Sequence, residues 1–278
     1  MVRNRRPIGK SIALHAGLTV ASIIALFPIA WLLLTSLKSR DAWQSATVKW
    51  FDNPNIDNFT FVLGHTKFLR WLLNTVIVAG ATTVIGVLLA ATTGYAVSRF
   101  RFPGYRSIMW MLLITQMFPV AILIVPLYNL MSALGLVNTF PALITCYLTT
   151  AVPFCAWMLK GYFDTIPTTI DEAGRVDGLS PFGTFWRLAL PLARPGLAVA
   201  GFYAFITAWA EVAYSTAFMT GDESYTLAVG MQTFVSQFRA EWGYMTAAAV
   251  LIAIPAAIVF LLVQRNLVTG LTSGATKS

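Results

Sequence analysis

Pro167-Thr168-Thr169-Ile170-Asp171-Glu172-Ala173-Gly174-Arg175-Val176-Asp177-Gly178-Leu179-Ser180-Pro181 is the most densely charged stretch of a chain whose long segments are otherwise apolar. It continues through Arg187 to Leu190-Pro191 and Arg194-Pro195. The punctuation reads as helix–turn–helix. Thr168 or Thr169 can cap a helix, with Asp171 or Glu172 three residues on completing a capping box. Gly178 supplies a left-handed residue to end that helix. Ser180-Pro181 restarts it as cap plus Pro at the first helical position, and Leu190-Pro191 stops the second helix. Asp171 and Glu172 lie one turn from Arg175, so local ion pairs worth a few tenths of a kcal/mol are expected. One reading is a solvated, well-capped connection. The other is a docking element, because Ile170, Ala173, Val176, Phe182, Phe185 and Trp186 have no reason to stay in water.

The rest of the chain is membrane-like. Of 278 residues, 57% are hydrophobic and 11% charged, against roughly 25% charged in soluble domains. Six apolar segments are expected to span a bilayer as helices, at about 11–37, 71–97, 108–131, 141–159, 197–218 and 245–264, leaving the charged segment inside a 160–196 loop. The apolar run that follows Arg3, Arg5, Arg6 and Lys10 is too long for a signal-peptide core and reads as an uncleaved first span. Residues 1–278 are therefore expected to form one all-α integral membrane domain.

Net charge is +8, but the basic residues sit in short connections, which argues for topology and against nucleic acid. Counting Lys and Arg on alternate sides gives 13 on the N-terminal side and 6 on the other. The positive-inside rule then puts both termini and the 160–196 loop in the cytoplasm. Trp71, Trp110, Trp157 and Trp242 fall near expected span ends, as an interfacial belt would have them. Cys146 and Cys155 are nine residues apart in one segment, on opposite faces of a helix, and do not pair with each other.

Glu172-Ala173-Gly174, Asp177-Gly178, Leu190-Pro191 and Pro195 resemble the EAA loop of ABC importer permeases, except that Gly174 stands where that family usually has Ala. Gly there should loosen the helix by roughly 1 kcal/mol. Gly94-Tyr95-Ala96 with Arg99-Phe100-Arg101-Phe102-Pro103-Gly104, and Pro126-Leu127-Tyr128 with Leu134-Gly135-Leu136-Val137-Asn138-Thr139, resemble carbohydrate-importer permeases. Tyr225-Thr226-Leu227-Ala228-Val229-Gly230-Met231-Gln232, Trp242-Gly243, Gln264-Arg265 and Gly270-Leu271-Thr272-Ser273-Gly274 are similar to the smaller membrane subunits of bacterial maltose/maltodextrin importers.

The resemblance implies a multi-pass bacterial inner-membrane permease, coupled to ATP hydrolysis elsewhere. Its partners would be a second homologous permease subunit, a homodimeric ABC ATPase, an extracytoplasmic sugar-binding protein, membrane lipid and the sugar itself. ATP and Mg would sit on the partner ATPase, with no cofactor on this chain. Glu172, Ala173, Gly174, Arg175, Asp177, Gly178 and Arg187 would form the ATPase-coupling helix. Tyr225, Thr226, Leu227, Gly230 and Gln232 would belong to the loop that meets the binding protein, and Gly274, Ala275, Thr276, Lys277 and Ser278 to a tail that reaches the ATPase. Sugars of the maltose/maltodextrin class are the expected cargo, with another oligosaccharide such as trehalose as the alternative.

The chain has no GxxxxGK[ST] phosphate loop, no metal-ligand spacing around His15 and His65, and no base partnering its Ser and Thr residues, so no catalytic residue is expected. Glu211 is the one acid inside an expected span. It is read as a sugar ligand, a helix–helix or gating contact, or a group meeting water near the outer interface. A proton-coupled secondary transporter relaying through Glu211 is a remoter alternative. Asn74 is a weaker intramembrane polar candidate. Pro119, Pro126 and Pro255 interrupt helical hydrogen bonding, compatible with moving kinks or with static packing.

Overall fold

The computed structural model describes residues 8–39, 54–236 and 239–275. They form helices α1 (Ile8–Ser36), α2 (Asp57–His65), α3 (Phe68–Arg99), α4 (Tyr105–Thr115), α5 (Val120–Ala133), α6 (Phe140–Phe163), α7 (Thr169–Val176), α8 (Pro181–Leu192), α9 (Arg194–Trp209), α10 (Ala213–Phe218), α11 (Leu227–Gln232) and α12 (Trp242–Ala275). A single antiparallel pair joins β1 (Val235–Ser236) to β2 (Arg239–Ala240). Among the described residues four helices are long and apolar enough to cross a membrane, and the number rises to six if each of two bent helix pairs makes one span.

The first of the two bends has a local cause. α4 and α5 meet at 104°. Pro119, in extended conformation as N-cap of α5, has no N–H with which to continue the ladder. Pro126, Pro153 and Pro255, by contrast, lie inside continuous helices. α8 and α9 meet at 83° at Ala193. The expected 197–218 segment is interrupted as well: α9 ends at Trp209 and α10 restarts at Ala213.

The chain divides into two compact units. The first holds the described residues within 1–66 and 233–252. Within it, Asn58 Nδ2 donates to the carbonyls of Ser36 and Lys38, both at 2.9 Å, fastening α2 to the end of α1. Phe61 of α2 stacks on Tyr244 with centroids 4.1 Å apart.

The second unit, residues 67–232 and 253–278, is built around α3. Trp71, Asn74, Val78, Thr82, Gly86, Ala90, Gly94 and Val97 recur at helical spacing along its buried face. Small residues dominate the second half of that face, which lets α3 and α6 approach closely. A Cβ on Gly94 would lie 2.9 Å from the Lys160 amide nitrogen and 3.0 Å from the Ala156 carbonyl oxygen. Ala90, Ala91, Tyr95, Ala151, Cys155, Ala156, Leu159 and Phe163 form the core there, joined by Phe185, Ala189, Ala193 and Ala200. The segment between α6 and α9 is thus packed into the end of the bundle. Cys146 and Cys155 are both buried free thiols. Trp110, Trp157 and Trp242 are exposed, but Trp71 is buried, donating Nε1–H to the Asp222 carbonyl at 2.9 Å, so its ring serves the fold in place of an interface.

Candidate functional site: the α7–α8 loop and its anchors

Two of the expected turn signals of the α7–α8 loop form as written. Gly178 has φ +78° in the turn after α7, and the Ser180 hydroxyl accepts the Gly183 amide at 3.1 Å, capping α8. The expected capping box at α7 does not form. Thr168 is itself helical, so its hydroxyl is not placed to cap, and the Asp171 carboxylate is turned to Arg99 and Tyr95 of α3. Leu190-Pro191 does not end α8 either. The helix widens into a π turn over Phe185–Ala189, with the Leu190 amide donating to the Phe185 carbonyl, and continues to Leu192. The wider turn relieves the clash that a Pro ring makes with the carbonyl four residues back.

Asp171 is the buried acid of the loop. Its Oδ2 lies 2.7 Å from Arg99 Nε, with the two side chains only 9% and 7% exposed. The Nε–H is not aligned on that oxygen, so the contact is an ion pair without a good hydrogen bond. Tyr95 donates its hydroxyl to Asp171 Oδ1 at 2.5 Å. Arg99 Nη2 donates to the Ile166 carbonyl at 2.8 Å, and Ser98 to Asp164 at 2.7 Å. The C-terminal turn of α3 therefore grips both the entry to the loop and α7. Desolvating two charges costs several kcal/mol each, and their attraction roughly offsets that cost, so such a pair fixes geometry more than it adds stability. Neither expected local ion pair of Arg175 forms among the described residues; Asp171 is committed to α3 and Glu172 is exposed.

Glu172, Ala173, Arg175, Asp177, Gly178 and Arg187 are all exposed, and Gly174 is buried. Val176 is 88% exposed and Phe182 66%, with Trp186 beside it. Phe185 and Ile170 belong instead to the core, Phe185 packing 5.0 Å from the Tyr95 ring. Gly174 has a packing reason to be glycine. A Cβ there would meet Thr184 Oγ1 at 2.8 Å and Leu188 Cδ1 at 3.1 Å.

At the other end of α3 a second set of residues holds the 219–232 segment. Asn74 Nδ2 donates to the carbonyls of Glu223 and Tyr225 at 2.8 and 2.9 Å, and Leu227 N–H donates to Thr75 Oγ1 at 2.8 Å. Lys67 Nζ reaches Asp222 and Glu223 at 2.8 and 2.6 Å. Hydrogen bonds from Lys67 hold the Asp222 carboxyl below its usual range, and the Asp222 and Glu223 carboxylates raise the Lys67 ammonium. Asn138, at φ +63°, accepts from the Thr220 amide and Ser224 hydroxyl. Thr226, Leu227 and Gly230 are buried in this arrangement, whereas Tyr225 is half-buried and Gln232 exposed. A Cβ on Gly230 would fall 2.2 Å from the Trp71 ring.

Glu211 has a role that none of the three sequence readings contained. Its Oε1 accepts the Tyr214 amide at 2.8 Å, and its Oε2 accepts the Ser215 amide at 3.1 Å and hydroxyl at 3.4 Å. The carboxylate thus closes the N-terminus of α10, where orphan amides and the helix dipole favour an anion. Gly274 and Ala275 end α12; Thr276, Lys277 and Ser278 lie outside the described residues.

Apolar helices broken at Pro119, at Ala193 and at the capping Glu211, with the α7–α8 loop fastened to the end of α3, match known proteins. Residues 82–273 match the family described as binding-protein-dependent transport system inner membrane component, and the chain belongs to that family. It is 36% identical to the maltose/maltodextrin transport system permease protein MalG of Vibrio vulnificus, over 95% of each chain. It is 31% identical to the sulfoquinovosyl glycerol transport system permease protein SmoH of Agrobacterium fabrum, over 93% of this chain and 91% of the relative. The fold is similar to that of a chain in the crystal structure of a bacterial ABC transporter involved in alginate import, with a TM-score of 0.80 over 92% of this chain and 96% of that one, at 21% identity.

Proposed function

We propose that this chain is one of two homologous permease subunits of an ATP-driven, binding-protein-dependent sugar importer, with maltose or maltodextrins as cargo. In this reading residues 1–278 act as one permease domain of six spans in a bacterial inner membrane, both termini cytoplasmic. The chain supplies half of the translocation pathway. Hydrolysis of Mg-ATP belongs to a homodimeric ABC ATPase, and a sugar-binding protein delivers cargo on the opposite side. The observation that carries the reading is the α7–α8 loop: an exposed face of Glu172, Arg175, Val176 and Phe182 held rigidly on the bundle by a buried ion pair. Such an apolar, charge-rimmed patch suits a protein partner.

Within that assembly Glu172, Ala173, Arg175, Asp177, Gly178 and Arg187 face the ATPase, while Gly174 sets the packing of α7 on α8. The exposed part of the 219–243 segment, including Tyr225 and Gln232, meets the binding protein, and Thr226, Leu227 and Gly230 hold the segment in place. Residues 274–278 reach toward the ATPase. The sequence kinship to a sulfoquinovosyl glycerol permease supports a second reading, another glycoside as cargo on the same scaffold. The deciding experiment is co-purification of this chain with its partners, followed by a scan of sugar-loaded binding protein for stimulation of ATP hydrolysis. Stimulation by maltose or maltodextrin is expected. Stimulation by a different sugar alone supports the second reading, and a stable, transporting single chain without any ATPase overturns both.

A further inference from the structure

We propose that α3 is a two-ended strut that couples the α7–α8 loop to the 219–232 segment, with Arg99 and Asp171 acting as positioning residues that make α7 move as one body with it. The inference rests on the α7–α8 loop being the ATPase-docking element. One end of the strut is the clasp of Arg99, Tyr95 and Asp171, which is buried and so is not itself a contact for a partner. The same turn of α3 also holds the loop entry through Arg99 to the Ile166 carbonyl and Ser98 to Asp164.

The other end is the set of bonds between the side chains of Trp71, Asn74 and Thr75 and the backbone of Asp222, Glu223, Tyr225 and Leu227. The two clasps sit at opposite ends of one continuous 32-residue helix, about 48 Å long. No proline lies inside it, so the usual cause of a kink is missing. Its middle packs on α6 at Gly86, where a Cβ would meet Leu148 Cδ2 at 3.3 Å, and its C-terminal part is fixed there by the close approach at Gly94. Displacement imposed at either end is therefore delivered to the other, since packed elements move as bodies and do not deform continuously. The partners on the segment are all backbone, the carbonyls of Asp222, Glu223 and Tyr225 as acceptors and the Leu227 amide as donor, so that clasp holds the segment's path independently of its side chains.

The test uses the assembled complex in lipid, reading ATP hydrolysis with and without sugar-loaded binding protein. Asp171→Asn removes the charge at nearly constant volume. It is expected to assemble, to keep hydrolysis in the absence of binding protein, and to lose about fivefold or more of the stimulation, the lower end of usual coupling strengths. A purely structural role would lower assembly and both rates together. Tyr95→Phe removes one hydroxyl and is expected to lose about twofold or more of the stimulation, the lower end of one hydrogen bond's net worth; it decides the matter if Asp171→Asn fails to assemble. Full stimulation in the assembled variant overturns the strut. Glu172→Ala separates the two levels of the argument. If it uncouples hydrolysis while Asp171→Asn and Tyr95→Phe do not, the docking element stands and the strut falls. If all three leave coupling intact, the docking reading falls as well.

Discussion

A β-carbon on Gly174 would lie 2.8 Å from Oγ1 of Thr184, which fixes how closely α7 can rest on α8. Helix propensity alone predicts that Ala at 174 stabilises by roughly 1 kcal/mol. The contact reverses the sign, because overpacking a buried site costs about 1–3 kcal/mol. Gly174→Ala should therefore lower the thermal midpoint of the assembled complex and its ATP-driven transport. Thr184→Ala added to it should restore both, since it removes Oγ1 and the Cγ2 at 3.1 Å, and that buried hydroxyl has no hydrogen-bond partner to lose among the described residues. A single mutant more stable than the wild type would contradict the packing argument.

The close approach of α3 and α6 gives a sharper version of the same effect. At Gly94 the obstructing atoms are backbone, the Lys160 nitrogen and Ala156 oxygen, and cannot rotate away. Gly94→Ala should cost about 2–3 kcal/mol, seen as lost yield of folded protein in mild detergent, whereas Gly80→Ala, where nothing lies within 4 Å of the added carbon, should be neutral or better. Equal behaviour of the two variants would argue against this helix pairing.

Much of the loop could be read from local chemistry, because Gly178 and Ser180 act through their own neighbours. What could not be read depends on distant partners. Asp171 gave up its expected pairing with Arg175 for Arg99, which lies on another helix and becomes adjacent only through the α3–α6 packing. Gly174 looked like a weakness until Thr184 was placed against it. Pro119 and Pro126 carry the same local signal, yet only Pro119 coincides with a bend, while Pro126 stays inside α5. Glu211 was visible as an anomaly, but its purpose needed the break between α9 and α10 that it closes.

Glu211 separates capping from proton relay. Glu211→Ala strips acceptors from the Tyr214 and Ser215 amides and should cost about 1–2 kcal/mol, as loss of a helix cap does. Glu211→Gln keeps one acceptor oxygen and should retain most ATP-driven transport, with no sensitivity to a protonophore. Abolition of transport by Glu211→Gln, with the complex intact, would favour the relay.

The ion pair between Lys67 and Asp222 has a defined pH window. Asp222 is depressed below 3.8, so its contribution is present above that value and is lost as pH falls through the lowered pKa. Lys67 is raised above 10.5, so its contribution is present below that value and is lost as pH rises through the raised pKa. Arg70 adds a longer contact to Glu223 at 3.8 Å. Amide hydrogen exchange around Ser224–Leu227, corrected for intrinsic rates, should stay flat between about pH 5 and pH 9. Loosening should begin only below about pH 4 and be abolished as a pH effect by Lys67→Met. A transition between pH 5 and 7 would exclude this pair as its cause.

In the proposed assembly the ATPase docks on the exposed face of α7. A photo-crosslinking residue at Val176, which is 88% exposed, tests it in the assembled complex, with the same probe at Leu262, 76% exposed on α12, as the control. A crosslink from 176 to the ATPase subunit that changes in yield when ATP is bound is expected, and none to that subunit from 262. Absence of any adduct between 176 and the ATPase, in a complex that hydrolyses ATP in response to sugar-loaded binding protein, would contradict it.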